Sequence, residues 1–290
     1  MEIYAVIMAG GVGSRFWPRS KERKPKQLIR IFGENTMIQD TVKRLNGIVK
    51  NENIYVITNK VQKLRVKEQL PQVPEENIID EPFGKNTAAC IGLASVLIKK
   101  KNPEAVTIIL PSDHLIKDDQ AFQDCLLGAA KFAYESKGLV TIGITPTRPE
   151  TGYGYIQFDD KEVGKNIYKV LTFAEKPNLS TARNFIESGD FLWNYGIFIW
   201  RVDTILDELK KHLPEHFDGL TQIENVIGTP DFEKELVQVY GQLKSISIDY
   251  GVMEKAETVY LTKADFYWND VGNWEAVYEI SEKNEDSNAV

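Results

Sequence analysis

Ile3-Tyr4-Ala5-Val6-Ile7-Met8-Ala9-Gly10-Gly11-Val12-Gly13-Ser14-Arg15 is an apolar run that breaks into glycines and then presents a cation. Residues 3–8 are apolar on both faces and lack helical spacing, which predicts a strand buried in a parallel sheet. Gly10, Gly11 and Gly13 are expected to take positive φ angles and bring backbone N–H groups close to an anion. Arg15 and, a short loop later, Lys26 supply the countercharge. The stretch lacks the Gly-x-x-x-x-Gly-Lys-Ser/Thr of the ATPase loop, and Phe16 stands where the dinucleotide fingerprint has its third glycine. A handler of nucleotide phosphates is one reading; a tight turn with solvent-facing Arg15 and Lys26 is the other.

Outward from this loop, strand and helix patterns alternate. Residues 37–48, 60–70, 87–100 and 121–136 have helical spacing; residues 53–58, 106–110 and 139–144 read as strands. Asn86 is expected to cap the helix that follows it. The alternation implies an α/β fold with a Rossmann-like mixed, mostly parallel sheet flanked by helices. From Pro146 the texture changes to glycines, aromatics and short strands over 153–158, 168–175 and 193–200, with a short helix at 178–187. Helices return at 202–212 and 230–239, and a strand at 258–261. An α/β core over 1–240 follows, with a first half (1–145) that carries the glycine loop and a second half (146–240) that supplies a lid or acceptor site. Residues 241–290 complete the site, with a frayed polar tail at 282–288.

The 290 residues carry a net charge of −7, which argues against broad nucleic-acid or anionic-membrane binding. An anionic substrate must then be met by local cations such as Arg15, Lys24 and Lys26. The two cysteines, Cys90 and Cys125, have neither metal-ligand nor disulfide spacing, and with three histidines a zinc site is not expected. No apolar stretch is long enough to span a bilayer, and the N-terminus enters a strand without a leader, so a cytoplasmic location is expected.

Ligands of open α/β sheets sit beyond the carboxyl ends of the strands. Pro111-Ser112-Asp113-His114 falls at such an end, and Asp270 in Trp268-Asn269-Asp270-Val271-Gly272 follows a later strand. Two carboxylates plus substrate phosphates make a candidate Mg²⁺ site; the other reading makes Asp113 a helix cap and Asp270 a turn residue. In Glu81-Pro82-Phe83-Gly84-Lys85-Asn86-Thr87, a carboxylate suits guanine, whose edge presents N–H donors, whereas a capped helix explains Asn86 but not Glu81. Glu175-Lys176 can serve sugar hydroxyls and a phosphate, or be solvated surface charge. Gly152-Tyr153-Gly154 and Trp193-Asn194-Tyr195-Gly196 bring backbone, an amide and aromatics.

Taken in order, these motifs resemble the sugar-1-phosphate nucleotidylyltransferases over nearly the whole chain, in their guanylyl branch by Trp17, Gln27 and the Glu81–Thr87 run. The resemblance implies the nucleotide-diphospho-sugar transferase fold and transfer of GMP from GTP to mannose 1-phosphate, giving GDP-mannose and pyrophosphate with Mg²⁺. It implies nucleotide binding by Gly10, Gly11, Gly13, Ser14, Arg15, Lys26, Glu81, Asn86, Thr87, Ser112 and Asp113. Arg15, Lys26 and Asp113 would be catalytic, and Asp113 and Asp270 would hold the metal. Gly154, Glu175, Lys176 and Asn194 would bind the sugar phosphate. Asp249, in Ser247-Ile248-Asp249-Tyr250, stays open as a sugar contact or a structural turn. Phe16 replaces the usual Leu, and the sequence ends at Val290, before the customary β-helical segment and any isomerase domain, so isomerase activity is not expected. A homodimer fits the family; nucleic acid and membrane do not. Rival readings are a uridylyl, thymidylyl or adenylyl enzyme acting on glucose 1-phosphate, and a silent nucleotide-sugar sensor. A glycosyltransferase would carry Asp-x-Asp, which Asp113-His114-Leu115 does not supply.

Overall fold

Strand β1 (Ile3–Met8) forms where its apolar run places it, with residues 4–7 buried. The computed structural model of the chain describes residues 1–11 and 16–284, so Val12, Gly13, Ser14 and Arg15 lie outside the described residues, as do residues 285–290 of the polar tail. After β1, α1 (Met37–Lys43) leads to β2 (Ile54–Asn59), α2 (Lys63–Gln69) to β3 (Ile78–Glu81), and α3 (Asn86–Lys99) to β4 (Val106–Pro111). A short β5 (Leu115–Lys117) precedes α4 (Asp119–Ser136) and β6 (Leu139–Ile144). Then come β7 (Tyr155–Gly164), β8 (Ile167–Ala174), α5 (Leu179–Ser188) and β9 (Phe191–Arg201). Helices α6 (Val202–His212), α7 (Pro214–Val226) and α8 (Phe232–Gln242) form a run, followed by β10 (Val259–Lys263), β11 (Tyr267–Asn269) and α9 (Trp274–Ile280).

Nine strands make one mixed sheet in the order β3-β2-β1-β4-β9-β6-β10-β8-β7. The pairings β3–β2–β1–β4 and β6–β10 are parallel, and only β8 and β9 run against the rest. The mostly parallel α/β reading holds. Strand β9 does two jobs: its second half pairs with β4 and β6, and its first residues pair with β7. That double pairing curls β9-β6-β10-β8-β7 round on itself, so the second half of the chain makes a closed wall beside the open parallel half.

Each face of the sheet has its own apolar layer. Helices α3, α6, α7 and α8 cover one face over Trp200, Phe198 and Val6. Helices α1, α2 and α4 cover the other over Ile7, Ile108 and Ile199. Residues 214–226, which have weak apolar periodicity, form α7, started by Pro214 at a position where its missing N–H costs nothing. It buries Leu220 and Ile223, with His216 and Gly219, and packs the partly buried Phe217 against the same layer.

Two expectations about backbone conformation are corrected. Asn86 does not cap α3: the flanking residue is Lys85, and Asn86 itself sits in the left-handed region at φ +68°. Its Oδ1 accepts from the N–H of Thr87 at 2.8 Å, a local bond that competes with a cap. Gly10 and Gly11 are not at positive φ. Gly10 lies against Glu81: a Cβ there would sit 3.6 Å from Glu81 Oε2, an ordinary van der Waals contact.

Candidate active site

The chain leaves β1 into a loop whose backbone carbonyls are taken up by side chains. The Ala9 carbonyl accepts from Thr58 Oγ1 at 3.1 Å and from Gln27 Nε2 at 3.2 Å. The Gly10 carbonyl accepts from Asn59 Nδ2 at 3.2 Å. The Gly11 carbonyl accepts from Gln27 and Gln62, both at 3.0 Å. Gln27 and Gln62 are both buried, so the entry to the glycine loop is fixed from below by amides that have no water to turn to. In the sequence Gln27 is only a branch marker; in the structure it holds the loop.

Lys26 follows Pro25 in a single 3₁₀ turn and is 6% exposed. Its ammonium donates to Asp113 Oδ2 at 3.0 Å and also to the backbone carbonyl of Asp270. Burial works to raise the Asp113 carboxyl, but Lys26 and His114 outweigh it and hold it below the ordinary carboxylate range. The joining of Asp113 to Asp270 has a definite cause. Strand β5, just after Asp113-His114, pairs antiparallel with β11, just before Asp270, in the register Asn269 opposite Leu115. The sequence reading puts Asp270 after β10; the structure places it after the separate strand β11, which that reading lacks. Asp270 Oδ1 accepts from Tyr153 OH at 2.6 Å. Burial and that bond push the Tyr153 phenol above its usual value. His114 packs between Tyr195 and Trp268 at 5.4 and 5.5 Å, and burial pushes its imidazole down to about 4, so it is neutral near pH 7.

Glu81 ends β3 and is 9% exposed; burial pushes its carboxyl up to about 7, held back by a hydrogen bond from Tyr240. Ser112 is buried beside Asp113. Asn86 is exposed at the start of α3. Thr87 Oγ1 accepts from the N–H of Ile248 at 2.8 Å, which ties α3 to the segment leading to Asp249.

On the β7–β9 side, Gly154, Glu175 and Asn194 meet as the sequence reading expects. A Cβ on Gly154 would lie 2.4 Å from Glu175 Oε2 and 3.2 Å from Asn194 Cβ, so any side chain there would displace the Glu175 carboxylate. Lys176, at φ +47°, folds back so that its ammonium pairs with Glu175 Oε1 at 2.5 Å. Asp249 opens a π-helical turn (Asp249–Met253) and accepts from Asn194 Nδ2 at 2.8 Å. Burial, then the nearby Glu175, push its carboxyl up to about 6. Gly154, Glu175, Asn194 and Asp249, though not Lys176, line an open cleft of about 200 Å³ that also contains His114, Tyr153 and Asp270. A larger cleft of about 610 Å³ lies between α4 and the β7–β8 turn, and none of the residues singled out from the motifs borders it.

The donor set suits a hard cation bound with help. Among the described residues no group of three or more His, Cys, Asp or Glu side chains could hold a metal alone. Asp113 and Asp270 are two oxygen donors of the kind Mg²⁺ combines with substrate phosphates. Arg15, Gly13 and Ser14 lie outside the described residues. Among the described residues no helix is long and apolar enough to cross a membrane.

Residues 4–287 match the family model described as Nucleotidyl transferase. The chain belongs to the nucleotidyl transferase family. A mannose-1-phosphate guanylyltransferase of Escherichia coli (strain K12) is 40% identical over 289 residues, covering 97% of this chain and 60% of that protein. The chain thus spans about 60% of the length of the curated relatives it matches. The crystal structure of a Thermus thermophilus protein, described as a mannose-1-phosphate geranyltransferase, superposes with a TM-score of 0.86 at 35% identity, covering 96% of this chain and 79% of that one. A Helicobacter pylori structure, described as a mannose-6-phosphate isomerase, gives a TM-score of 0.75 at 25% identity over 93% of this chain and 100% of that one. The chain therefore shares its fold with these two structures.

Proposed function

We propose that this nucleotidyl transferase moves GMP from GTP to mannose 1-phosphate, giving GDP-mannose and pyrophosphate. The observation that carries the reading is the convergence at Lys26, which bonds both Asp113 and the Asp270 backbone beside a cleft lined by Glu175, Asn194 and Asp249. Asp270, whose carbonyl Lys26 bonds, lines the same cleft as Glu175, Asn194 and Asp249, which supports phosphate handling beside hydroxyl binding.

A phosphate oxygen of the sugar phosphate attacks the α-phosphorus, the new P–O bond forms, and the bond to the β-phosphate oxygen breaks to release pyrophosphate. The attacking oxygens are already largely ionised near neutral pH, so no general base is required. His114, neutral and packed among aromatics, is not asked to act as one. Catalysis rests on alignment and charge neutralisation. Lys26 and Arg15 hold the leaving pyrophosphate, aided by the amides of Gly10, Gly11 and Gly13, and Ser14 contributes to nucleotide binding. Asp113 and Asp270 would hold Mg²⁺, and the ion would supply Lewis-acid neutralisation of phosphate charge there. Glu81 accepts from the N1–H and N2–H of guanine, with Asn86 exposed nearby. The Thr87 oxygen already accepts from Ile248, which leaves its proton for the ligand. Glu175, Asn194 and the Gly154 backbone bind sugar hydroxyls, and Lys176 turns from Glu175 to the attacking phosphate.

Pyrophosphate release across a matrix of GTP, ATP, UTP and dTTP with mannose and glucose 1-phosphates tests the reading. GTP with mannose 1-phosphate should be the fastest pair. Faster turnover of UTP, dTTP or ATP with glucose 1-phosphate would replace it, and binding without release would make the chain a sensor.

A further inference from the structure

The hydroxyl of Tyr240, on α8, is buried at 0% exposure and reaches 3.1 Å from Glu81 Oε1 and 3.2 Å from the carbonyl of Ala89. A phenol has one proton to donate. The Ala89 carbonyl lies within α3, where the helix supplies its own donor, so a carboxylate is the stronger claim on that proton. The other oxygen, Oε2, lies against Gly10 and has no donor among the described residues. Glu81 is thus gripped from the helical layer on one oxygen and open toward the glycine loop on the other.

We infer that Tyr240 is a positioning residue for base selection: by donating to Glu81 it keeps the carboxyl ionised and oriented, so that it accepts two hydrogen bonds and favours guanine. This deepens the guanylyl reading above and rests on it. Guanine offers two adjacent donors, N1–H and N2–H, which an ionised carboxylate meets with two acceptors. Adenine offers an acceptor and a donor, which match a protonated carboxyl instead. The protonation state of Glu81 therefore decides which purine edge is complementary, and a buried polar group left unmatched is what makes such discrimination steep.

The titratable groups facing Glu81 are few. From α8 there is Tyr240, and from α3 the buried Cys90, whose thiol burial pushes up and Glu81 raises further. The neighbouring Asp80 is paired with Lys63 of α2. Lys85, next along, donates to the Leu243 carbonyl at 2.6 Å. No cation among the described residues forms an ion pair with Glu81, so the phenol is its one side-chain donor there. The Glu81 carboxyl, pushed up to about 7 by burial, would rise further without it.

The experiment compares kcat and KM for GTP and ATP from pH 5.5 to 9 in the full chain, Y240F and E81Q. Y240F keeps the ring and its packing, and its thermal unfolding midpoint reports whether the fold is intact. The GTP preference of the full chain should weaken as pH falls through Glu81's titration. In Y240F that midpoint should move up by about one pH unit or more, the worth of a lost hydrogen bond to a charged group. KM for GTP near pH 7.5 should rise about threefold or more, as the ionised fraction of Glu81 falls, with kcat changed no more than about twofold. E81Q should abolish the pH dependence, and adding Y240F to it should have no further effect. An unchanged midpoint in folded Y240F, or additive losses in the double variant, overturns the proposal. If E81Q leaves base choice untouched, the guanine role of Glu81 falls instead. The carboxyl titration, followed by ¹³C NMR on labelled protein without nucleotide, still decides whether Tyr240 holds it: no upward shift in Y240F refutes that hold.

Discussion

On the β1–β4 side of the cleft the ionic groups answer one another. The Lys26 ammonium lies against the Asp113 carboxylate, and glutamine amides occupy the loop carbonyls. On the β7–β9 side, Glu175 and Asp249 flank one Asn194, with Lys176 as the nearest cation. The Lys26–Asp113 pair is balanced before any ligand arrives, whereas Glu175 and Asp249 together leave surplus acceptors. A balanced region must trade partners when phosphates enter, which suits a group that acts only as charge moves to the leaving group. A region of surplus acceptors is complementary to hydroxyl donors and gains by binding as such.

If that contrast is right, removing the balancing cation should damage the chemical step most. Lys26→Ala should lower kcat by ~10²–10³, as loss of one preorganised donor at a developing charge does. KM for the sugar phosphate should change much less. Steady-state kinetics with GTP and mannose 1-phosphate checks this, and a loss confined to KM would erase the distinction between the two regions.

The next largest effect should fall on the acceptor side. Glu175→Ala removes a charged hydrogen-bond acceptor whose loss is worth about 1.5–3 kcal/mol, so KM for the sugar phosphate should rise by about tenfold or more. KM for GTP should stay nearly constant. Equal increases for both substrates would mean that Glu175 supports the whole cleft through Lys176 and Gly154 rather than the sugar.

The two regions also differ in how far the sequence discloses them. Strands β1 and β6 and helix α6 lie where apolar period and length place them, because buried runs of that size have few alternatives. Lys26, Asp113 and Glu175 are motif residues at element ends, where chemistry shows locally. The β5–β11 pair is invisible in that way: each strand has three residues, too few to show a period, yet their register brings Asp270 to Asp113. Helix α7 is masked by its polar composition, and its burial depends on packing against α3 and α8. Tyr240 lies 159 residues from Glu81, and nothing local to either announces the contact.

Asp249 gives the smallest effect and separates a binding residue from a structural one. Its carboxyl ordinarily titrates near 3.8 and is pushed up to about 6 in the folded chain by burial and Glu175. Below about pH 4 both folded and unfolded forms are protonated and no penalty exists. As pH rises through 4 to 6 the unfolded chain ionises freely while the folded one resists, so this group subtracts stability, fully so above about 6. Asp249→Asn keeps an oxygen for Asn194 Nδ2 and removes the charge. The variant should therefore unfold at a higher temperature than the unsubstituted chain at pH 8, by about 1–3 kcal/mol of stability, and show no gain at pH 4. At pH 8 it should also bind the sugar phosphate less well, since a carboxylate held at a cost to stability is retained for what it binds. A variant less stable at pH 8 with unchanged sugar-phosphate KM would make Asp249 a structural turn residue, and Glu175 would then be the surplus acceptor on its own.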